Sequence, residues 1–380
     1  MSDATAYVLL EDGERFDGLA CGADAHAVGE VVFTTGMTGY QEAMTDPSFA
    51  GQLITFTTAH VGNYGVSEQA MESSRPHARA AIMRAAANRA DAPGASGGWL
   101  DWLAANGVPG ISDLDTRALV RHIRDAGAMR GGLFPAAMPE DEARALIAAE
   151  PTMDGRDLAR EVTPTELQVL RPLAAGSGDG LTLAMIDTGV KRSILDNFRQ
   201  RGVTVELHPC TTSAADLLAR DADAFFMANG PGDPAALGYV VETLRGLVGK
   251  KPVYGICLGH QLLCRAVGLE TYKLPFGHRG SNHPVKDLTT GRVEITSQNH
   301  GFAVLGPGGA QRVEDDEPVR WETDFGAAEL THVNLYDRTV EGLTLRDVTG
   351  ATVQYHPEAG PGPHDSLYLF DRFIAEITGS

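Results

Sequence analysis

Residues 252–268 read PVYGICLGHQLLCRAVG. The first six form a short apolar run suited to a buried strand, and the remainder repeats apolar residues at helical spacing. Between the two sits Cys257, with Gly255 and Gly259 on either side. Glycines at such a corner let the chain turn sharply and let the helix pack close to the strand it leaves. The pattern is that of a nucleophile elbow, with cysteine in place of serine. A helix N-terminus there directs unpaired N–H groups and the positive end of its dipole at the sulfur, which favours thiolate. The competing reading is a small core cysteine. Cys264, seven residues on and mid-helix, fits that description instead.

The same grammar extends outward. Residues 181–187 (LTLAMID), 203–209 (VTVELHP), 223–229 (DAFFMAN) and 351–357 (ATVQYHP) read as strands. Residues 189–202, 213–221, 235–249 and 366–378 read as helices. Apolar strands alternating with helices predict an α/β fold, with a doubly wound, mostly parallel sheet over residues 181–380. Ligands meet such sheets at the carboxyl ends of the strands. Cys257, the turn 229–232 and His356 all fall at such ends.

Residues 1–150 have a different texture and predict a separate N-terminal α/β domain. Strands are expected at Val31–Thr34 and Gln52–Thr57, and a helix in DTRALVRHIRDAG (115–127) that stops at Gly127. The Pro, Gly and Ser content of residues 151–180 predicts a linker.

Composition narrows the function. A formal net charge of −19 over 380 residues repels phosphate backbones, so a nucleic-acid partner is not expected. No apolar run is long enough for a membrane span, and the N-terminal residues lack the basic-then-apolar pattern of a secretory signal. The four cysteines show neither CxxC pairing nor zinc-ligand spacing, so no metal is expected and a cytoplasmic, reduced protein is.

A thiol nucleophile needs a base. His356 ends a strand of the same sheet, and Glu358 stands two residues on, across Pro357, where it can orient the imidazole. His260 is the rival, but one turn into the elbow helix it points away from the sulfur. The turn ANGPGDP (228–234) can supply an oxyanion donor, with the N–H of Leu258 as the other. It lacks the lysine and spacing of a phosphate loop. SQNHGF (297–302) reads as a polar turn, with Asn299 offering both donor and acceptor. The residues alone therefore define a Cys–His–Glu acyl-transfer site without naming its substrate.

GICLGHQLL and QYHPE resemble the nucleophile and His–Glu motifs of the class I glutamine amidotransferases. TGMTGYQEAMTDPSFAGQ, GISDLDTRALVRHIRDAG, NGPGDP, KLPFGHRGSNHPV, SQNHGFAV and YHPEAGPGPHDSLYLFDRFI extend the resemblance over nearly the whole chain. Together they resemble the small-subunit family of carbamoyl-phosphate synthetases. The resemblance implies that Cys257 forms a glutamyl thioester, with His356 as base and acid and Glu358 orienting it. It implies that Ser48 reaches across from the N-terminal domain to bind glutamine, and that Gly230, Gly232, Leu258, Gln261, Asn299, Gly301 and Phe302 line the same pocket. It also implies a large synthetase partner that holds ATP and magnesium, receives ammonia, and makes carbamoyl phosphate from bicarbonate for arginine and pyrimidine biosynthesis. This chain shows no phosphate loop and is expected to bind no cofactor itself. Thr34, Thr188 and Gly360 depart from the family pattern without removing a catalytic group. The alternatives are the glutaminase of another synthetase, which the N-terminal domain argues against, a non-catalytic scaffold, which has no need of an intact triad, and an unrelated cysteine hydrolase of peptides or esters.

Overall fold

The computed structural model describes residues 5–314 and 317–379. These fall into two compact units. One runs to Arg156 and includes Pro275–Gly280; the other begins at Asp157 and holds the remainder.

In the N-terminal unit, β1 (Ala6–Leu10), β2 (Arg15–Gly22), β3 (Ala27–Thr34), β4 (Gln52–Phe56), β5 (Ala80–Ile82), β6 (Pro109–Ser112) and β7 (Met129–Pro135) close into a barrel, in the order β1-β2-β6-β5-β4-β3-β7. Successive strand residues face opposite sides. Val8, Val31, Leu53, Ile82, Ile111 and Leu133 therefore share one apolar cluster inside the barrel. Their neighbours Val32, Ile54 and Ala81 join a second cluster with Tyr40, Met44 and Trp99. The helix Thr116–Ala126 adds Leu119 and Ile123 to the inner cluster. Asp115 caps it by accepting from the Ala118 N–H at 3.0 Å, and Gly127, at φ 98°, ends it as the sequence predicts.

In the C-terminal unit, β8 (Gln168–Leu170), β9 (Thr182–Asp187), β10 (Thr204–Pro209), β11 (Ala224–Met227), β12 (Val253–Ile256), β13 (Thr271–Asp287), β14 (Val293–Val304), β15 (Val319–Thr323), β16 (Gly326–Asn334), β17 (Val340–Leu345) and β18 (Gly350–Val353) form an eleven-stranded sheet among the described residues. Strands β10, β9, β11, β12 and β18 run parallel. Alternation along β11 puts Phe225 and Met227 on one face, Ala224 and Phe226 on the other. Helices Gly238–Leu247 and Leu258–Ala266 cover the first face, and Arg192–Gln200 and Tyr368–Thr378 the second. This is the doubly wound α/β arrangement expected.

Three features differ from the sequence reading. The sheet is parallel only at its centre: β8 is antiparallel to β10, and β13, β16, β17 and β18 pair antiparallel in sequence along the other side. Residues 151–180 are not a free linker, because the helix Ala159–Val162 and β8 belong to the C-terminal unit, with β8 hydrogen-bonded into its sheet. The segment Pro275–Gly280 belongs to the N-terminal unit. There the Pro275 carbonyl accepts from Ala128 N–H (2.7 Å), Phe276 stacks on Phe33 (5.8 Å), and the Arg279 carbonyl accepts from Thr35 N–H (3.0 Å).

The second face of the sheet depends on an aromatic knot. Phe198 meets both Phe226 and Phe370 edge-on at 5.0 Å and is almost wholly buried. Phe198→Ala is expected to cost about 3–5 kcal/mol in denaturant unfolding, as transfer and cavity terms add. A loss below about 1 kcal/mol would show that this cluster does not hold the helices to the sheet.

Candidate active site

Cys257 lies between β12 and the helix Leu258–Ala266 at φ 56°, ψ −106°, a conformation costly for any residue with a side chain. The surroundings enforce it. The Cys257 N–H still bonds the Val353 carbonyl of β18 at 2.9 Å, and its carbonyl already accepts from Gln261 N–H at 3.2 Å. Both glycines are required by contact: a Cβ at Gly259 would lie 2.2 Å from the Met227 carbonyl oxygen, and one at Gly255 would lie 2.9 Å from the Gly259 carbonyl carbon. The elbow expected from the sequence is present. The sulfur is buried, 3.6 Å from the Asn299 carbonyl oxygen.

Beyond the end of β18, the chain bridges to β14 through His356 N–H and the Ser297 carbonyl, 2.9 Å apart. This fixes the ring of His356. Its Nδ1 is 2.7 Å from Glu358 Oε1, which leaves Nε2 for the Cys257 sulfur. The same Glu358 oxygen accepts from Lys191 Nζ at 2.8 Å, and that ammonium also donates to the Ala359 carbonyl at 2.9 Å. All three side chains are at most 3% exposed.

Burial alone would strip the charge from these groups, and the charges sustain one another instead. On Glu358 burial acts upward, but Lys191 and His356 outweigh it and hold the carboxyl down at about 2. On His356 burial acts downward, but Glu358 and Cys257 outweigh it and push the imidazole up to about 10. Near neutral pH the ring is therefore a cation between a carboxylate and the sulfur, and its Nε2 carries a proton to donate.

Lys191 was not among the residues expected from the sequence. It sits in the turn after β9, just before the helix Arg192–Gln200, where a basic residue reads as a solvated helix start. The turn is tied to the 228–232 loop: Lys191 N–H donates to Asn229 Oδ1 (3.1 Å) and Thr188 Oγ1 to the Asn229 carbonyl (2.9 Å). A Cβ on Gly230 would lie 2.0 Å from the Thr188 carbonyl oxygen, and Gly232 adopts φ 94°. These contacts explain the glycines of ANGPGDP.

Residues 297–302 are not a turn. They are the interior of β14, which brings Asn299, Gly301 and Phe302 into the sheet. Polar side chains lie buried there because they pair: Gln298 with Glu341 (2.9 Å) and His300 with Gln298 (2.9 Å). It is the backbone carbonyl of Asn299 that meets Cys257. Gln261 Nε2 donates to the Phe302 carbonyl (2.8 Å) and to Gln354 Oε1 (3.0 Å), so it braces β14 and the segment after β18 against the elbow helix. Leu258 is buried at the head of that helix. His260 turns away from the sulfur as expected, with Nδ1 2.8 Å from Thr352 Oγ1; burial and His332 push it down to about 3. Ser48 belongs to the N-terminal unit, where its N–H bonds Asp46 Oδ1 at 2.8 Å.

Residues 184–376, which carry Cys257, His356 and Glu358, match the family model of Glutamine amidotransferase class-I. The C-terminal unit is a domain of that class. Residues 8–133 match the Carbamoyl-phosphate synthase small chain, CPSase domain. The carbamoyl phosphate synthase small chain of Streptomyces coelicolor is 45% identical, over 98% of this chain and 96% of that protein. Those of Thermosynechococcus vestitus and Listeria monocytogenes are 45% and 44% identical over the same shares. The chain belongs to the family of carbamoyl-phosphate synthase small chains, the glutamine-hydrolysing subunits of that enzyme.

The charge balance gives a direct test. In Glu358→Gln the largest force holding the proton on His356 is removed and burial remains, so the imidazole pKa is expected to fall well below about 10. NMR titration of ring-labelled histidine reads the shift, and an unchanged value would contradict the assigned electrostatics.

Proposed function

We propose that Cys257, His356 and Glu358 hydrolyse the side-chain amide of glutamine, and that the ammonia serves a large synthetase subunit. The observation that carries this reading is the imidazole with Nδ1 locked on Glu358 and its other nitrogen left for a cysteine on a strained elbow. In this mechanism the Cys257 thiolate attacks the amide carbon of glutamine. The developing oxyanion lies against the N–H of Leu258 and the 230–232 backbone. Collapse breaks the C–N bond as His356 Nε2–H protonates the leaving nitrogen, which departs as ammonia and leaves a glutamyl thioester. His356, now neutral, takes a proton from water; the hydroxide adds to the thioester, and the thiolate leaves with glutamate. Glu358 keeps its ring in one tautomer throughout. Gly230, Gly232, Leu258, Gln261, Asn299, Gly301 and Phe302 shape the glutamine pocket. Gln261 acts there through its brace on Phe302.

The partner reading rests on the family membership. ATP with magnesium and bicarbonate are assigned to the large subunit, in a cytoplasmic heterodimer supplying arginine and pyrimidine synthesis. Among the described residues no helix is long and apolar enough to cross a membrane.

Cys257→Ser separates the two halves. Glutamine-dependent carbamoyl phosphate synthesis by the complex is expected to fall at least ~10³-fold, the scale of losing a nucleophile. Synthesis from added ammonium salt should be unchanged. Loss of both activities, or of neither, would overturn the division of labour.

A further inference from the structure

We propose that Asp187 is a positioning residue for the triad: its carboxylate holds the 187–191 turn in the one conformation that delivers Lys191 to Glu358. The inference rests on the glutaminase reading above and adds a residue that touches neither substrate nor any of Cys257, His356 and Glu358 by a hydrogen bond.

Asp187 ends β9 and is 5% exposed. One carboxylate oxygen, Oδ1, accepts from Gly189 N–H and from Val190 N–H, both at 2.7 Å. These are its hydrogen bonds among the described residues, and neither partner is a cation. Burial accordingly pushes the carboxyl up to about 6, although the two N–H groups act the other way. A carboxylate in such a place is costly, and what it organises is the turn. Gly189 stands at φ 120°, which the two bonds straddle. Lys191 follows Val190 directly.

The turn is fixed from every side. The backbone carbonyl of Asp187 accepts from Thr163 Oγ1 at 2.7 Å. Thr188 and Lys191 bond the Asn229 loop through Oγ1 and N–H. With its origin set, the Lys191 stem runs buried to Glu358 Oε1 and the Ala359 carbonyl. Opening the Asp187 turn displaces that origin. The ammonium then leaves the oxygen that orients His356. A shift of about 1 Å at a catalytic group can cost on the order of 10²-fold in rate. The Asp187 carboxylate makes no hydrogen bond to a residue of the glutamine pocket, so the loss is expected chiefly in kcat.

The test measures glutamate release by the full chain with its large subunit, ATP and bicarbonate. Asp187→Ala is expected to lower kcat about 10-fold or more, with KM changed less than about 3-fold. Asp187→Asn, which keeps an acceptor oxygen, should restore kcat to within about 3-fold of wild type. In a Lys191→Met background the Asp187→Ala change should have little further effect, because the two act in one chain of contacts. If Asp187→Ala yields no folded protein, Asp187→Leu, which fills the site but offers no acceptor to the Gly189 and Val190 N–H groups, is measured in its place with the same expectations. An unchanged kcat, a loss confined to KM, no rescue by Asn, or an undiminished effect in the Lys191→Met background would each overturn the inference. Wild type and Cys257→Ser run alongside. If they do not differ, the glutaminase reading itself fails; if they differ and Asp187→Ala matches wild type, only this inference does.

Discussion

A carboxylate sealed from water is the interaction on which the C-terminal unit turns. Glu358 is fully enclosed, and one of its oxygens receives both the His356 ring and the Lys191 ammonium. Stripping water from such an ion costs several kcal/mol, which only close partners offset. The partners come from distant parts of the chain: Lys191 from the turn after β9, His356 from the segment after β18. They meet because β9, β11, β12 and β18 run parallel and in register, so that their carboxyl ends open on one edge. A slip of register would leave a buried carboxylate with half its partners, a large penalty that makes the site itself a constraint on the fold.

The elbow imposes a second constraint of a steric kind. The sulfur can face His356 only if the chain turns through a disfavoured backbone conformation and the following helix nearly touches β11. Gly255 and Gly259 permit that approach, and Gln261 ties the helix to β14 and to the segment leading to His356. The strain at Cys257 and the buried charge at Glu358 are both held by the packed aromatic and aliphatic faces of the sheet, the same packing that fixes the relative height of the strand ends.

Much of this was legible in the sequence because it lies in local pattern. Strand–helix alternation, the glycines around Cys257 and the two-residue spacing of His356 and Glu358 are short-range signals, and the structure brings the pair together as expected. What was illegible depends on long-range pairing. Lys191 reads as an ordinary basic residue at a helix start, and only the return of the chain 167 residues later reveals its carboxylate. Strand β14 hides behind polar letters, because Gln298, His300 and Glu341 satisfy one another. The segment Pro275–Gly280 is continuous with its neighbours along β13, yet bonds within the other unit, a contribution that no composition shift announces.

The measurement that tests the central claim most directly is a search for the covalent intermediate. The chain, with its large subunit, ATP, bicarbonate and glutamine, is quenched in acid within the first turnovers, digested, and its cysteine peptides are weighed. The account predicts a glutamyl mass increment on the peptide containing Cys257 and on no other, absent from Cys257→Ser. No increment during active turnover, or one on Cys21, Cys210 or Cys264, would contradict it.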